Sequence, residues 1–142
     1  MFNLSHSLGK DIFNLSKIIF PINQGNQHWT SAVIYMEEQR IQYYDSLGGR
    51  GGHYLQVLLQ YLQDEHLDKK KVHLKCPELW TLVPCTDDTP RQQNGYDCGV
   101  FTCLFADFLS IDRSFQGFDP SDMALYRQHI ALSIIKGEVV AS

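Results

Sequence analysis

A chain of 142 residues that is 44% hydrophobic and 12% aromatic has the size of one domain and is too apolar for intrinsic disorder to be the default. At this length about two thirds of the extended surface can be buried. The formal charge of -4 supplies no basic stripe to neutralise phosphates, which argues against a nucleic-acid binder, and no stretch is long enough to span a membrane.

The N-terminus, Met1-Phe2-Asn3-Leu4-Ser5-His6, lacks the basic and long apolar regions of a signal peptide, and residues 1–16 carry only weak helix and loop signals. Residues 17–22 (Lys-Ile-Ile-Phe-Pro-Ile) form a short β-prone run closed by Pro21, expected near a sheet edge. Asn23 to Asn26 is a turn. From Trp29 to Met36 apolar residues fall on both strand faces, as in a strand covered on both sides. Glu37-Glu38 breaks it, and residues 40–45 alternate as a second strand with Ile41, Tyr43 and Asp45 on one face. With Glu37-Glu38 as a two-residue turn, Ile34 pairs with Ile41 and Ala32 with Tyr43. Asp45 then falls opposite Thr30 with His28 as its diagonal neighbour, at about 7–8 Å along the backbone. A three-residue turn would reverse that parity.

Residues 46–52 (Ser-Leu-Gly-Gly-Arg-Gly-Gly) match no phosphate-binding pattern and read as a flexible connector. Leu55, Leu58, Leu59 and Leu62 then share one helical face through about Glu65. Lys69-Lys70-Lys71, the only basic run, is more simply a solvated helix exit than a binding patch. Residues 72–74 are a candidate strand, and residues 79–85 are expected to be one. Asp119-Pro120 starts a last helix with the apolar face Met123, Tyr126, Ile130 and Ile134, ended by Gly137.

Between these lies the stretch Pro90-Arg91-Gln92-Gln93-Asn94-Gly95-Tyr96-Asp97-Cys98-Gly99. It is turn-prone up to Asn94-Gly95 and then turns apolar, with Val100, Phe101, Leu104, Phe105, Phe108 and Leu109 on one helical face. Asn94 or Asp97 is placed to cap that helix. Cys98 falls in its first turn, where unpaired N–H groups and the positive end of the helix dipole favour negative charge on sulfur. Taken alone, a cysteine at such a place is more often a small buried hydrophobe. The other cysteines, 76, 85 and 103, form no C-x-x-C pair, the six histidines are scattered, and neither a metal nor another cofactor is expected. Four cysteines without a secretion signal point to free thiols in a reducing compartment.

Gln92-x-Asn94-x-x-Asp97-Cys98-Gly99, together with His28-Trp29 and Tyr43-Tyr44-Asp45-Ser46 upstream, closely resembles the SUMO-specific, ubiquitin-like-protein-processing cysteine protease family. The resemblance covers roughly residues 18–110 and follows the family's motif order. It implies a single α+β domain of papain-like architecture, with a central mixed sheet flanked by helices and the nucleophile at a helix N-terminus. It implies Cys98 as nucleophile, His28 as base, Asp45 as the group orienting it, and Gln92 as oxyanion donor. Gln93 is adjacent, and spacing to the cysteine decides for Gln92. Trp29 is most economically a core aromatic. By resemblance it lines a tunnel for the modifier's Gly-Gly tail, with Asn94, Gly95, Asp97 and Gly99 as further substrate-side residues, although Asn94-Gly95 could serve the turn alone. The expected partner is SUMO or a related ubiquitin-like modifier and its conjugates, with neither nucleic acid nor membrane, in a nuclear or cytoplasmic monomer. Nothing in residues 1–20 resembles the family's Trp-Leu-Asn-Asp-like segment, so the resemblance implies a domain short of its N-terminal part. Two other readings use the same residues: a catalytically weak module that binds such a modifier, and an acyltransferase or viral-type protease on the same scaffold.

Overall fold

The structure is a computed structural model and describes residues 11–140. The weak helix and loop signals of residues 1–10 therefore lie outside the described residues. Four strands form one sheet in the order β1 (Lys17–Gln24), β2 (His28–Tyr35), β3 (Arg40–Tyr44) and β4 (Thr81–Val83). The first three are antiparallel and β4 runs parallel to β3, so the sheet is mixed. Among the described residues three α-helices accompany it: α1 (Gly52–Lys70), α2 (Cys98–Ser110) and α3 (Met123–Lys136).

The hairpin has the register that its apolar alternation dictates. Ile34 pairs with Ile41 and Ala32 with Tyr43, and Gln39 N–H closes the turn onto Met36 O at 3.3 Å. Because side chains alternate along a strand, β2 and β3 feed two cores. Ala32, Ile34, Ile41 and Tyr43 pack with Leu55, Leu58 and Leu62 of α1 on one face. Val33, Tyr35 and Tyr44 pack with Val100, Phe101, Leu104 and Phe105 of α2 and Met123 of α3 on the other. This is the α+β, papain-like layout of a central sheet between helices. β1 is an edge strand and continues through Pro21, where a missing N–H is tolerable, instead of ending there.

Three local expectations are corrected. Helix α1 runs past Glu65 to Lys70, because Lys69 and Lys70 complement the dipole in its last turn and Lys71, at φ 59°, caps it with a bond to Leu67 O. Residues 72–74 form no strand, and Val72 O lies 2.8 Å from His66 Nδ1 instead. The strand expected over 79–85 contracts to three residues, since Pro77 to Leu79 make a turn of 3₁₀ helix and Val83 is the last residue in register with β3. At the C-terminal end, Met123, Tyr126 and Ile130 reach the second core, whereas Ile134 is 75% exposed. Gly137, at φ 70°, ends α3 as expected.

Candidate active site

β2 starts at His28, and Asp45 is the first residue beyond β3, so strand pairing alone brings the two side chains to one end of the sheet. His28 Nε2 lies 2.7 Å from Asp45 Oδ1, with Asp45 only 4% exposed. A carboxylate that only accepts fixes the proton on Nε2 and leaves Nδ1 as the basic nitrogen of the neutral ring. Asp45 is itself held in place: Oδ1 also accepts from Leu47 N–H at 2.8 Å, and Oδ2 from Gly49 N–H at 3.0 Å.

The loop read as a flexible connector is this cradle. A Cβ at Gly49 would collide with Asp45 Oδ2, and one at Gly51 (φ 71°) with the Tyr43 ring. At Gly48 (φ 85°) a Cβ would stand 2.7 Å from Arg91 Nη1. Arg91 reaches over the loop to donate to Asp45 O at 2.8 Å. Cys85 accepts from Asp45 N–H at 3.4 Å and sits 3.5 Å from Arg91 Nη1. Gly48, Gly49, Cys85 and Arg91 are thus parts of the surroundings of Asp45 to which the sequence alone gave no role. Their contribution depends on what they touch across the fold, and only the density of glycines hinted at it.

Cys98 opens α2, is 7% exposed, and is preceded by Asp97 at the cap position. Neither Asn94 nor Asp97 caps the helix with its side chain. Asn94 Oδ1 instead accepts from Tyr96 N–H and Asp97 N–H, both at 3.0 Å, closing the turn that aims the helix. The Asp97 carboxylate accepts from Asn94 Nδ2 at 2.7 Å and from Arg127 of α3. The Asn94 amide, and after it the Arg127 guanidinium, hold the Asp97 carboxyl below the usual carboxylate range although burial opposes them. The first N–H groups of α2 have no intrahelical acceptor, which leaves a donor at Cys98 itself.

The histidine and cysteine elements meet through their neighbours. Trp29, next to His28, has Cδ1 3.8 Å from the place of a Cβ on Gly99, next to Cys98. Trp29 is 41% exposed and, with Pro21, Tyr96, Gly99, Arg127 and Ile130, lines a cleft of about 610 Å³. Trp29 is thus a cleft aromatic more than a core one. Gln92 is half-buried and bonded through both ends of its amide, whereas Gln93 is exposed. Of the five substrate-side residues, Trp29 and Gly99 come to the cleft, Asn94 and Asp97 hold each other, and Gly95 faces open space. Among the remaining histidines, His66 is structural, its ring edge-on to Phe13 at 4.9 Å. Among the described residues no cluster of three or more His, Cys, Asp or Glu could hold a metal ion.

A thiol at a helix start, a histidine oriented by a carboxylate and an amide in a neighbouring loop are the kinds of group an acyl-transfer centre uses. Comparison with known proteins points the same way. A sentrin-specific protease of Caenorhabditis elegans is 39% identical over 132 residues, which is 93% of this chain and 18% of that protein. Ubiquitin-like-specific protease 1A of Arabidopsis thaliana is 41% identical over 103 residues, covering 72% of this chain and 20% of that protein. The chain therefore spans about a fifth of the length of these relatives. Among solved structures, the C-terminal Ulp1 protease domain in complex with Smt3, the yeast ortholog of SUMO, superposes with a TM-score of 0.76 at 30% identity, over 94% of this chain and 58% of that one. The family model for the Ulp1 protease family, C-terminal catalytic domain, matches residues 4–138, beyond both ends of the stretch that carries the motifs, and the chain belongs to this family.

Proposed function

We propose that this chain is the catalytic part of a cysteine protease that hydrolyses the peptide or isopeptide bond after the C-terminal Gly-Gly of SUMO or a related ubiquitin-like modifier. The observation that carries the reading is the 2.7 Å His28–Asp45 hydrogen bond at the sheet end, in a member of a protease family whose Cys98 opens the facing helix. His28 Nδ1 takes the thiol proton, and the Cys98 sulfur adds to the scissile carbonyl carbon. The negative charge that develops on the carbonyl oxygen is met by the Cys98 N–H and the Gln92 carboxamide. As the tetrahedral adduct collapses, the C–N bond breaks and His28 returns its proton to the leaving amine. Water, deprotonated by the same ring, then cleaves the thioester and restores the thiol.

The cleft beside Trp29 fits the demand of such a substrate. An aromatic wall against Gly99, itself without a Cβ, leaves room for a tail of residues that also lack one. The four cysteines are all free, which suits a reducing compartment in nucleus or cytoplasm, and no helix is long and apolar enough to cross a membrane among the described residues.

The test is covalent capture by a panel of Gly-Gly-ended modifier probes with a thiol-reactive terminus. Capture of a SUMO-type probe by the wild-type chain is expected, together with its complete loss in Cys98→Ala. Cys76→Ser should capture normally, since its thiol is exposed and outside the lining of the cleft. Labelling that survives in Cys98→Ala sinks the mechanism.

A further inference from the structure

Gln92 is gripped by the residue that follows the proposed orienting aspartate. Its N–H donates to Ser46 O at 2.9 Å, and its Oε1 lies 2.6 Å from Ser46 Oγ. Its Nε2 donates to Asn94 O. The chemistry of these partners fixes the direction of the amide. A backbone carbonyl has no proton to give, so the carboxamide atom facing Asn94 O is the nitrogen. The carboxamide oxygen then faces Ser46, and the Ser46 hydroxyl is the donor.

The consequence concerns the reacting charge. The NH₂ group carries two hydrogens, and Asn94 O occupies one. The other is free to donate to an oxyanion. Turned by 180°, the same amide would offer lone pairs to a negative charge, and a repulsive group would stand where a stabilising one is required. Ser46 is 2% exposed, so its hydroxyl is screened from bulk solvent and committed to this partner. It also sits on a braced segment, between Asp45, bonded through its carboxylate and carbonyl, and the glycine cradle.

We propose that Ser46 is a positioning residue for the reaction: its hydroxyl holds the Gln92 carboxamide with the N–H side toward the oxyanion. The proposal rests on the protease reading above. It further implies that the orienting aspartate and the oxyanion donor are set by one loop, residues 45–49, and are therefore perturbed together when that loop shifts.

A four-protein cycle tests it: wild type, Ser46→Ala, Gln92→Ala and the double variant, each acting on a fluorogenic modifier substrate ending in Gly-Gly. Ser46→Ala should lower kcat/KM about three- to tenfold, the scale of one neutral hydrogen bond. It should cost nothing further in the Gln92→Ala background, because the hydroxyl acts through that amide. Ser46→Thr, which keeps the hydroxyl, should recover most of the loss. Equal losses in the two backgrounds overturn the proposal. So does a parallel fall in alkylation of Cys98 by iodoacetamide, a displacement at a saturated carbon that forms no oxyanion. If the wild-type chain cleaves no modifier substrate, the protease reading fails while the positioning claim stays measurable. The side-chain amide resonances of Gln92, assigned by their loss in Gln92→Ala, should shift in Ser46→Ala and return in Ser46→Thr. Resonances that do not move overturn the claim on their own.

Discussion

Asp45 shows how much of this site is decided by groups without chemistry of their own. Its carboxylate accepts from His28, Leu47 N–H and Gly49 N–H, and its backbone is tied to Arg91 and Cys85. Gly49 is tolerated there only because it lacks a side chain. Gly49→Ala must therefore push the carboxylate off Oδ2's present place or swing the loop, and either movement turns the His28 ring. A misplacement of about 1 Å costs on the order of 10² in rate. Turnover of the Gly-Gly substrate should fall by that order in Gly49→Ala while circular dichroism still reports a folded chain. A loss under twofold would show that the loop yields around the added methyl without moving Asp45. In the sequence, His28, Asp45, Gln92 and Cys98 stood out through the resemblance to the protease family, since each taken alone reads as readily as a structural residue. The glycines were visible too, but their meaning was not, because the need for a missing Cβ arises from atoms in other segments.

At the scale of elements, pairing parity decides which residues meet at the end of the sheet. Glu37-Glu38 as the hairpin turn fixed β2 against β3 and thereby His28 against Asp45, and the observed register is that one. Where a segment had no partner of clear periodicity, the reading failed. Residues 72–74 look β-prone, yet the αL residue Lys71 and the bond between Val72 O and His66 take that backbone elsewhere. Asp97 belongs to this scale as well, since its carboxylate ties the start of α2 to Arg127 of α3. Its folded value lies below the ordinary 3.8, through Asn94 first and Arg127 after it. A depressed carboxyl contributes stability that is fully present above its unfolded value and is lost as pH falls through the folded one. The gap in melting temperature between wild type and Asp97→Asn should therefore be constant from about pH 7 to about pH 5, and shrink below about pH 4. A gap that widens on acidification would mean that Asp97 is not ionised in its clamp.

For the whole molecule, the sheet carries a core on each face, and the proposed site lies at one end of it. The cleft of about 610 Å³ beside Trp29 suits an extended tail rather than the body of a modifier. Stable recognition of a folded partner usually takes about 800 Å² from each side, with well-packed anchors at its centre. Around this cleft Trp29 is 41% and Tyr96 75% exposed, so neither aromatic is yet enclosed. The chain also spans 58% of the Ulp1 domain it superposes on. Binding should therefore suffer more than chemistry when these 142 residues act alone. Cleavage of a modifier conjugate is expected to be weak and poorly saturable, with Cys98 still readily alkylated by a small thiol reagent near neutral pH. Adding the part of the Ulp1 domain that this chain does not match, in cis or as a separate fragment, should lower the apparent KM before it raises kcat. Each tenfold gained corresponds to about 1.4 kcal/mol of new contact. Steady-state kinetics with and without that segment decide the matter. Tight, saturable cleavage by the chain alone would mean that the open cleft already provides the binding surface. A Cys98 inert to the small reagent would instead favour the reading of a module that binds the modifier without cutting it.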